Sequence, residues 1–333
     1  MKPIKAGIIG YGRMAEICHW PAMKESARYE VVGVCDITES RRKAAEAQGL
    51  KATASIDAFL GWDIELVVIC THSSQHHADA LKVAAAGKHM LIEKPIAPRA
   101  AEAEEMAAAA RANKVVLSVY HNRHFDEDYR MVKAAVRDGL LGELVTIENR
   151  TFGAAPAVGF GTPDYNQKWR VTAAAGGGTL LDFGPHWNEQ VLDLMAGRKV
   201  VQVFGDVRHL KWGDADDLFR IDMIFDNGTR ATTGKADIAY YGLPDKWLVL
   251  GTEATLHGPV GDGKSRQIVV CGDGYELKRS KAVEEANLHE NLAEHIREGK
   301  ALIITAEHAL RVMKVIQAAV DSAKAGKSLD VAI

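Results

Sequence analysis

Residues 4–36 read IKAGIIGYGRMAEICHWPAMKESARYEVVGVCD, and this stretch decides the fold. It opens with an apolar run of strand length, which ends at a glycine turn of the form G-x-G-x-x-A at residues 10–15. A helical pattern follows the turn, and a second apolar run at 31–35 ends on Asp36, 21 residues beyond Ala15. This order of strand, glycine turn, helix, strand and acid predicts a binding site for a nicotinamide dinucleotide.

Each part of this motif has a physical role in holding a dinucleotide. Gly10 permits the tight turn, Gly12 lets the backbone approach the pyrophosphate, and Ala15 lets the helix pack closely on the strand. The first turn of the helix offers unpaired N–H groups to the phosphates, and Asp36 can accept hydrogen bonds from a ribose. Glycine-rich turns are common, so a purely structural turn is the alternative interpretation of residues 10–15.

The composition is that of a globular protein with about two domains. The 333 residues are 47% hydrophobic and 26% charged, and no apolar run approaches the ~18 residues of a membrane span. The 41 basic and 44 acidic residues are interspersed and give a net charge of −3, so there is no basic patch for nucleic acid or membrane. The four cysteines are scattered and no secretion signal is visible, so we expect a cytoplasmic protein with reduced thiols.

Strand and helix patterns alternate from the N-terminus to about residue 121. The run 66–70 is apolar throughout, as expected for a parallel strand buried on both faces. The first helix is predicted from Arg13 to His19, with Pro21 expected to end or kink it. The alternation predicts an α/β fold in which residues 1–121 form a Rossmann domain with a doubly wound parallel sheet.

The pattern changes in residues 122–333. Residues 153–168 are rich in Gly, Ala and Pro and have no period, and so long a loop is usually functional. Strand follows strand from 200 to 270, and two helices, predicted at 283–298 and 306–325, close the chain. Turn signals separate the strands at 226–228, 242–245 and 261–263. We expect an α+β domain with a mostly antiparallel sheet.

The tripeptide Glu93-Lys94-Pro95 is the first candidate for chemistry. It follows a predicted strand, at the sheet edge where open α/β folds bind ligands. Lys94 there can hold a substrate hydroxyl and stabilise negative charge that develops on its oxygen. A lysine after a strand is more often a solvated surface charge, which is the alternative interpretation.

The second candidate is the run 175–189, AGGGTLLDFGPHWNE. Asp182 and His186 are four residues apart and share a face if the run is helical. The carboxylate can then orient the imidazole while the histidine takes a proton. Because Pro185 costs a hydrogen bond inside a helix, an aspartate N-cap beside an unrelated histidine is an equal alternative.

The third candidate is the loop 164–170, DYNQKWR. Its polar donors and acceptors with Trp169 suit a polyol or sugar, because an indole covers the apolar C–H face of a ring. A solvated loop with Trp169 in the core is the alternative.

Metal binding has little support in the sequence. His72 and His76 have i,i+4 spacing, and residues 121–128 form a polar cluster, but neither has a cysteine-rich or H-E-x-x-H pattern. We therefore predict no metal, and assign His72 and His76 to a loop and helix start that face the cofactor.

Together these motifs resemble the Gfo/Idh/MocA oxidoreductases, typified by glucose–fructose oxidoreductase and inositol dehydrogenase, over nearly the whole chain. The motifs that carry the resemblance are Gly10-x-Gly12-x-x-Ala15, Asp36, Thr71 with His76, residues 86–89, Glu93-Lys94-Pro95, Asn122-Arg123, Trp169-Arg170, residues 176–178 and Asp182-x-Gly184-x-His186. The pairing of E-K-P with G-G-G…D-x-G-x-H is specific. Residues 120–128 and 182–186 look most like the scyllo-inositol dehydrogenase branch.

The resemblance implies a catalytic set of Lys94, Asp182 and His186. His186 is then the general base for a secondary hydroxyl, Lys94 binds that oxygen near the nicotinamide, and Asp182 supports the pair. Hydride passes from the carbinol carbon to the nicotinamide and leaves a ketone. The resemblance further implies that residues 122–333 form an α+β domain for substrate binding and oligomerisation, with a large, mostly antiparallel open sheet, and that its last helix is a candidate to pack back on the Rossmann domain. The family's open sheet often forms a dimer interface, which implies a homodimer or homotetramer.

The resemblance also implies contacts along the rest of the site. The cofactor contacts are Gly10, Tyr11, Gly12, Arg13, Met14, Asp36, Arg41, Thr71, His72, His76, Glu93 and Lys94. The substrate contacts are Arg123, Trp169, Arg170, Asp182, His186 and Glu189.

The chain departs from the family pattern at three places. The usual T-P-N turn reads Thr71-His72-Ser73, and the acid three residues past the histidine, usually Asp, is Glu189. Members of the inositol branch that prefer NADP lack an acid at the end of the second strand, whereas Asp36 repels a 2′-phosphate and favours NAD. NADP stays open, because Arg41 and Arg42 can recruit that phosphate if their loop turns inward.

Three functions follow from this pattern. The first is an NAD(P)-dependent dehydrogenase that oxidises a ring hydroxyl of a sugar or cyclitol. The second is a redox-neutral, NAD-retaining glycosidase that oxidises, eliminates and reduces. The third is a non-catalytic sensor of dinucleotide or sugar, which the retained Lys94, Asp182 and His186 disfavour.

Overall fold

The computed structural model describes residues 2–155, 168–259, 267–279 and 287–333, and two β-sheets organise them. The strands of the first sheet are β1 (Ile4–Ile9), β2 (Tyr29–Cys35), β3 (Lys51–Thr53), β4 (Leu66–Ile69), β5 (His89–Ile92) and β6 (Leu117–Val119). They are all parallel, in the order β3-β2-β1-β4-β5-β6. This is the doubly wound order, so the predicted parallel sheet is confirmed.

Helices cover this sheet and leave a crevice at one edge. The helices are α1 (Trp20–Glu25), α2 (Glu39–Glu46), α3 (Ile56–Leu60), α4 (His76–Ala85) and α5 (Ala100–Ala112). All four residues of β4 are buried, as its continuous apolar sequence predicts. The strand order reverses between β1 and β4, and ligands of such sheets bind outside the carboxyl ends of the strands at this switch point.

The first helix differs from its predicted extent. It does not end at Pro21 but continues through α1 to Glu25. The five residues before α1, Ala15–His19, form a π-helical segment. A proline ring normally clashes with the carbonyl four residues earlier, and the wider π-helical turn makes room for Pro21 without ending the helix.

The second sheet has nine strands and is mostly antiparallel. Its strands are β7 (Leu144–Phe152), β8 (Val200–Arg208), β9 (Leu218–Phe225), β10 (Arg230–Ala236), β11 (Asp245–Gly251), β12 (Ala254–Pro259), β13 (Ile268–Gly272), β14 (Tyr275–Arg279) and β15 (Leu329–Asp330). Their order is β14-β13-β12-β11-β7-β10-β9-β8-β15, and only the β7–β10 pair of these described strands is parallel. The predicted mostly antiparallel sheet is therefore confirmed.

Helices on one face of the second sheet connect it to the first. The helices of this part are α6 (Glu127–Arg137), α7 (Thr179–Leu194), α8 (Leu288–Glu298) and α9 (Ala306–Ala325). Helix α7 packs on β9 and β10, and α9 packs on β8 while also touching α5 and β6. Helix α9 is thus in contact with both layers. The division of the chain at residue 121 stays a prediction.

Parts of three sequence predictions lie outside the described residues. They are residues 156–167 of the predicted loop, the turn at 261–263, and the start of the helix predicted at 283–298. The described part of that helix is α8.

The contact between β8 and α9 depends on Gly205. A Cβ at this position would lie 2.0 Å from the main-chain oxygen of Ala319. The Gly205 N–H also donates to Ser322 Oγ at 3.0 Å, so the main chains of β8 and α9 are in direct contact at this point.

We expect Gly205→Ala to lower the free energy of unfolding by about 1–3 kcal/mol, because the added methyl group forces α9 away from β8. Denaturant unfolding followed by circular dichroism measures the change. Gly153→Ala is the matched control, since a Cβ there would have no heavy atom within 4 Å. Equal stability of the two variants would contradict the close approach.

Candidate active site

A cleft of about 800 Å³ runs along the carboxyl ends of the first sheet and reaches helix α7. The sequence-predicted residues that line it are Gly10, Gly12, Arg13, Met14, Asp36, Thr71, His72, His76, Glu93, Lys94, Arg123, Trp169, Arg170, Asp182 and His186. Three others, Tyr11, Arg41 and Glu189, are not part of the lining. The fold therefore gathers most of the predicted cofactor and chemistry residues around one space.

The glycine turn forms one end of the cleft. Gly10 has a φ of +84°, and a Cβ there would lie 2.8 Å from the carbonyl carbon of Cys70 at the end of the next strand. Only glycine fits such a position. Gly12 has no heavy atom within 4 Å of its Cβ direction and lines the cleft. The turn therefore packs against the protein at Gly10, and at Gly12 it faces the space where a pyrophosphate would lie.

Asp36 is fixed at the end of β2. Its Oδ2 accepts the Tyr11 N–H at 2.7 Å, and its Oδ1 accepts the Thr38 N–H at 2.7 Å. An ionised carboxylate has about four lone-pair sites, so each oxygen can still accept a ribose hydroxyl. Next to Asp36, the exposed Ile37 also lines the cleft and offers an apolar surface there.

Arg41 and Arg42 support the turn from behind. Arg41 Nε donates to the Tyr11 carbonyl at 2.8 Å, and its Nη2 lies 3.1 Å from Glu16 Oε2. Arg42 Nη1 donates to the carbonyl oxygens of Asp36 and Ile37 at 2.8 and 2.9 Å. Both guanidinium groups therefore hold main-chain atoms around Asp36.

The middle of the cleft is formed by the segment after β4. Thr71 Oγ1 donates to Asp79 Oδ2 at 2.8 Å. The His76 ring lies between two carbonyl oxygens, with Nδ1 2.9 Å from Pro95 and Nε2 3.1 Å from Thr71. Burial lowers the pKa of His76 although the two carbonyl oxygens act in the opposite direction, and a neutral ring donates to only one of them.

Lys94 and Asp182 meet across the cleft. Lys94 Nζ donates to Asp182 Oδ1 at 2.6 Å and to the Asp182 main-chain oxygen at 2.7 Å. Arg170 Nε lies 3.5 Å from Asp182 Oδ2. Burial alone would raise the pKa of Asp182, but the charges of Lys94 and Arg170 hold it below its ordinary value. The carboxylate is therefore ionised and shared by two cations.

His186 lies one turn after Asp182 on α7. The residue is 4% exposed and lines the cleft, while its Nδ1 is buried without a hydrogen-bond partner among the described residues. Burial lowers the pKa of His186 well below its ordinary value, and the nearby charges of Lys94 and Arg123 lower it further. The ring is neutral at neutral pH and can accept a proton.

Helix α7 is continuous through Pro185, and Asp182 is not its N-cap residue, which was the alternative interpretation of this run. The helix runs from Thr179 to Leu194, and its N-cap position is Gly178. Asp182 is thus inside the first turn rather than at the N-cap, and its N–H donates to the Gly178 carbonyl at 2.9 Å. One turn beyond, Asn188 Nδ2 donates to the Gly184 carbonyl at 2.8 Å and supports the helix around the proline.

Cation–carboxylate pairs surround the far side of the cleft. Arg123 Nη1 lies 3.1 Å from Asp126 Oδ2, and Lys235 is paired with Asp237. The ring of Phe183 lies between the two cations, with Lys235 Nζ 4.4 Å and the Arg123 guanidinium carbon 5.8 Å from its centroid. Arg123, Lys235 and Asp237 line the cleft and present donors and an acceptor to it, as adjacent hydroxyl groups require.

Trp169 lies on the cleft wall rather than in the core. It stacks on His72 with 5.2 Å between ring centroids, and the Arg170 guanidinium lies 4.5 Å from the indole. Residues 164–167 of the predicted sugar-binding loop lie outside the described residues.

Glu189 occupies a different environment from the one predicted. Its side chain is fully buried, and its Oε1 lies 2.8 Å from His124 Nδ1 and 3.2 Å from His308 Nε2. Burial alone would raise the pKa of Glu189, but the two histidines hold it below its ordinary value. The carboxylate thus ties α7 to α9 behind the cleft. A direct substrate contact by Glu189 stays a prediction.

Among the lining residues that sequence reasoning missed, four bear on the chemistry or shape of the cleft: Ile37, Phe183, Lys235 and Asp237. Lys235 and Asp237 lie at the end of β10, about 140 residues from Lys94 along the chain, and carry no local motif. Phe183 lies inside the predicted D-x-G-x-H motif at an unspecified position. Among these four residues, only Ile37 could have been found from the sequence, because it is an apolar side chain in a turn beside Asp36.

Neither a metal centre nor a membrane span is present among the described residues. No group of three or more His, Cys, Asp or Glu side chains there is placed to hold a metal ion. No described helix is both long and apolar enough to cross a membrane.

Two family models match the chain. One, described as an oxidoreductase family with an NAD-binding Rossmann fold, matches residues 4–121, and the other, the GFO/IDH/MocA C-terminal domain, matches residues 129–257. The chain belongs to the Gfo/Idh/MocA oxidoreductase family. The resemblance derived from the motifs is thereby confirmed.

Similar Gfo/Idh/MocA proteins span nearly the same length. The scyllo-inositol 2-dehydrogenase (NADP(+)) IolW of Bacillus subtilis is 26% identical, over 98% of this chain and 95% of its own. The inositol 2-dehydrogenase of Rhizobium meliloti is 29% identical, over 82% of this chain and 80% of its own. The crystal structure of an NAD-binding protein from Listeria innocua has a TM-score of 0.87 at 26% identity, covering 99% of this chain and 97% of that one.

The Rossmann domain of this Gfo/Idh/MocA protein binds NAD, and its residues fit that cofactor. The open space in front of Gly12 is a place where the pyrophosphate can approach the main chain. Asp36 keeps acceptor capacity for two ribose hydroxyls, and the adjacent arginines are engaged with Glu16 and main-chain oxygens. This arrangement favours NAD over NADP.

We expect Asp36→Ala to weaken NADH binding roughly tenfold and to strengthen NADPH binding, because the variant loses the ribose acceptor and the repulsion of a 2′-phosphate. Titration of reduced-cofactor fluorescence measures both affinities. Asp57→Ala, on the exposed first turn of α3, is the control and should leave both unchanged. A variant that still prefers NADH as strongly as the wild type would disprove the role of Asp36.

Proposed function

We propose that this protein is an NAD-dependent dehydrogenase that oxidises one ring hydroxyl of a sugar or cyclitol to a ketone. The observation that carries this proposal is the Lys94–Asp182 ion pair beside His186, in the same cleft as the glycine turn and Asp36. The reaction requires a cation that binds the hydroxyl oxygen, a neutral base that accepts the hydroxyl proton and a nicotinamide that accepts the hydride from the carbinol carbon.

Lys94 binds the reacting oxygen. Its ammonium has three N–H donors, and two are used by the side chain and main chain of Asp182. The third can donate to a substrate hydroxyl and then stabilise the negative charge as the proton leaves. Asp182 holds the ammonium in this orientation, and the second cation on its other oxygen, Arg170, fixes the carboxylate in turn.

His186 takes the hydroxyl proton. Its lowered pKa keeps the ring neutral at neutral pH, and Nε2 is the nitrogen we assign to accept the proton, because Nδ1 is buried. The positive charge that forms on the ring is costly beside Lys94, and loss of that proton to solvent after the reaction is correspondingly favoured. NAD, when bound, accepts the hydride from the carbinol carbon.

The charge balance on the far side of the cleft, where Arg123 and Lys235 lie, supports a neutral, polyhydroxylated substrate. Arg123 and Lys235 each have a carboxylate partner, so this wall offers donors and acceptors without a large excess of one charge. Trp169 adds an aromatic surface for the C–H face of a ring. Two relatives are named as acting on inositols, which are substrates of this kind.

The test is reduction of NAD, and of NADP in parallel, followed by absorbance across a panel of inositols, aldoses and glycosides. We expect turnover with a cyclitol or free sugar, and loss of at least about a thousandfold in Lys94→Met or His186→Ala. Both variants should still bind NADH, because the glycine turn and Asp36 are unchanged. Retention of most activity by either one would refute the assigned roles.

Two further measurements complete this test. Lys82→Met, on α4 and away from the cleft lining, is the matched control for loss of a lysine and should keep full activity. Cofactor binding without turnover of any compound in the panel would refute the dehydrogenase.

We also propose that the protein is a homodimer or homotetramer that associates through the outer face of the second sheet. On β11, Trp247 and Val249 are buried on the face toward the helices, whereas Leu248 and Leu250 point to the other face. Leu250 is 36% exposed, and an exposed apolar sheet face favours self-association.

Light scattering should give a mass of at least two chains for the wild type. Charged groups oppose burial in an interface, so we expect the double variant Leu248→Glu/Leu250→Glu to shift the mass toward one chain. Val145→Glu is the control, because Val145 is exposed on β7 but shares a face with the buried Ile147. A monomeric wild type would refute the proposal.

A further inference from the structure

A buried histidine pair lies behind the lysine of the cleft. His19 is the last residue of the π-helical segment and is fully buried. Its Nε2 lies 3.1 Å from Glu93 Oε1, and its Nδ1 lies 3.0 Å from Nε2 of His289 on α8. The extra residue in a π-helical turn re-aims the side chains that follow, and such segments recur at functional sites. Here the segment brings His19 to the carboxylate next to Lys94.

The Glu93 carboxyl is ionised although it is buried. Glu93 is 6% exposed but lines the cleft, and its Oε2 accepts the Lys94 main-chain N–H at 3.1 Å. Burial alone would raise the pKa of Glu93, yet the hydrogen bond and the charge interaction with His19, and then the charge of Lys94, hold it below its ordinary value. A negative charge therefore lies in the cleft wall at the end of β5.

The histidines that support Glu93 do not need to carry a positive charge. Burial lowers the pKa of His289 to about 3, so its ring is neutral at neutral pH. His289 Nε2–H can donate to His19 Nδ1 while His19 Nε2–H donates to Glu93, which satisfies both hydrogen bonds with two neutral rings. The carboxylate is then stabilised by N–H dipoles and keeps its charge.

The other groups that face Glu93 leave its charge available to a ligand. The charge of the Lys94 ammonium also acts on Glu93, but its hydrogen bonds go to Asp182, and burial lowers the pKa of His76. Burial, followed by the charge of Glu93, raises the pKa of the Cys18 thiol and of the Cys70 thiol. The two thiols stay neutral and line the cleft beside the carboxylate.

We propose that Glu93, held in place by His19, makes this protein bind oxidised NAD more tightly than NADH. The two forms differ in the nicotinamide ring, which is a pyridinium cation in NAD and neutral in NADH. The inference depends on the proposed function in one respect, the placement of that ring beside Lys94. A cation near a fixed carboxylate in a partly water-excluded cleft is attracted far more strongly than in bulk water.

The proposed preference has a direct consequence for turnover. When hydride reaches the ring, its positive charge disappears and with it the attraction to Glu93. Reduced cofactor is then held less tightly than the oxidised form, which aids its release, a step that is often rate-limiting in dehydrogenases. Glu93 would thereby favour the oxidative direction.

The experiment is a calorimetric titration of NAD and of NADH, without substrate, into the wild type, Glu93→Gln and Asp36→Asn. We expect tighter binding of NAD than of NADH by the wild type. Glu93→Gln should weaken NAD binding roughly tenfold and NADH binding less than about twofold. Asp36→Asn should weaken both equally, because the ribose at that end of the cleft is the same in both forms.

The outcomes separate this proposal from the proposed function. Equal losses for NAD and NADH in Glu93→Gln would overturn the charge preference, and so would a wild type that binds NADH more tightly than NAD. The wild-type ratio decides the question even if Glu93→Gln does not fold, which circular dichroism reports. Because no substrate is present, a protein that oxidises no sugar or cyclitol can still confirm or refute the role of Glu93.

Discussion

The ion pair between Lys94 and Asp182 is the constraint on which the site depends. Lys94 follows β5 in the first sheet, whereas Asp182 lies on α7, which packs on the second sheet. Both side chains are largely buried, and their 2.6 Å contact joins the two layers at the cleft. Loss of Asp182 would leave the buried ammonium without its carboxylate, so the pair stabilises the geometry of the site while it orients the ammonium.

The same cleft keeps two neighbouring titratable groups in opposite states. Asp182 is ionised because two cations offset the cost of its burial, while His186, one turn away, is neutral because burial and nearby cations disfavour its charged form. Both pKa values are lowered, which places an ionised carboxylate beside a neutral ring that can accept a proton. Glu93 extends this arrangement to the cofactor side, where a carboxylate is held ionised by histidine N–H groups.

Local patterns in the chain were enough for the fold and for much of the site. The buried run of β4, the glycine turn and Asp36 belong to one strand–helix–strand unit, in which each residue is placed by neighbours in sequence. The D-x-G-x-H spacing put Asp182 and His186 on one face, and α7 is indeed helical through Pro185. The extent of the first helix was wrong, because a π-helical segment is not visible in the residue pattern.

The sequence alone was enough to predict the strand, glycine turn and helix of the dinucleotide motif, since their geometry follows from glycine positions and apolar periodicity over some 30 residues. It did not determine what lies across the cleft. Lys235 and Asp237 come from β10, His289 comes from α8, and Glu189 turns away toward His124 and His308. Only the tertiary structure decided these contacts, because burial and charge pairing between distant segments depend on how the two sheets and their helices pack.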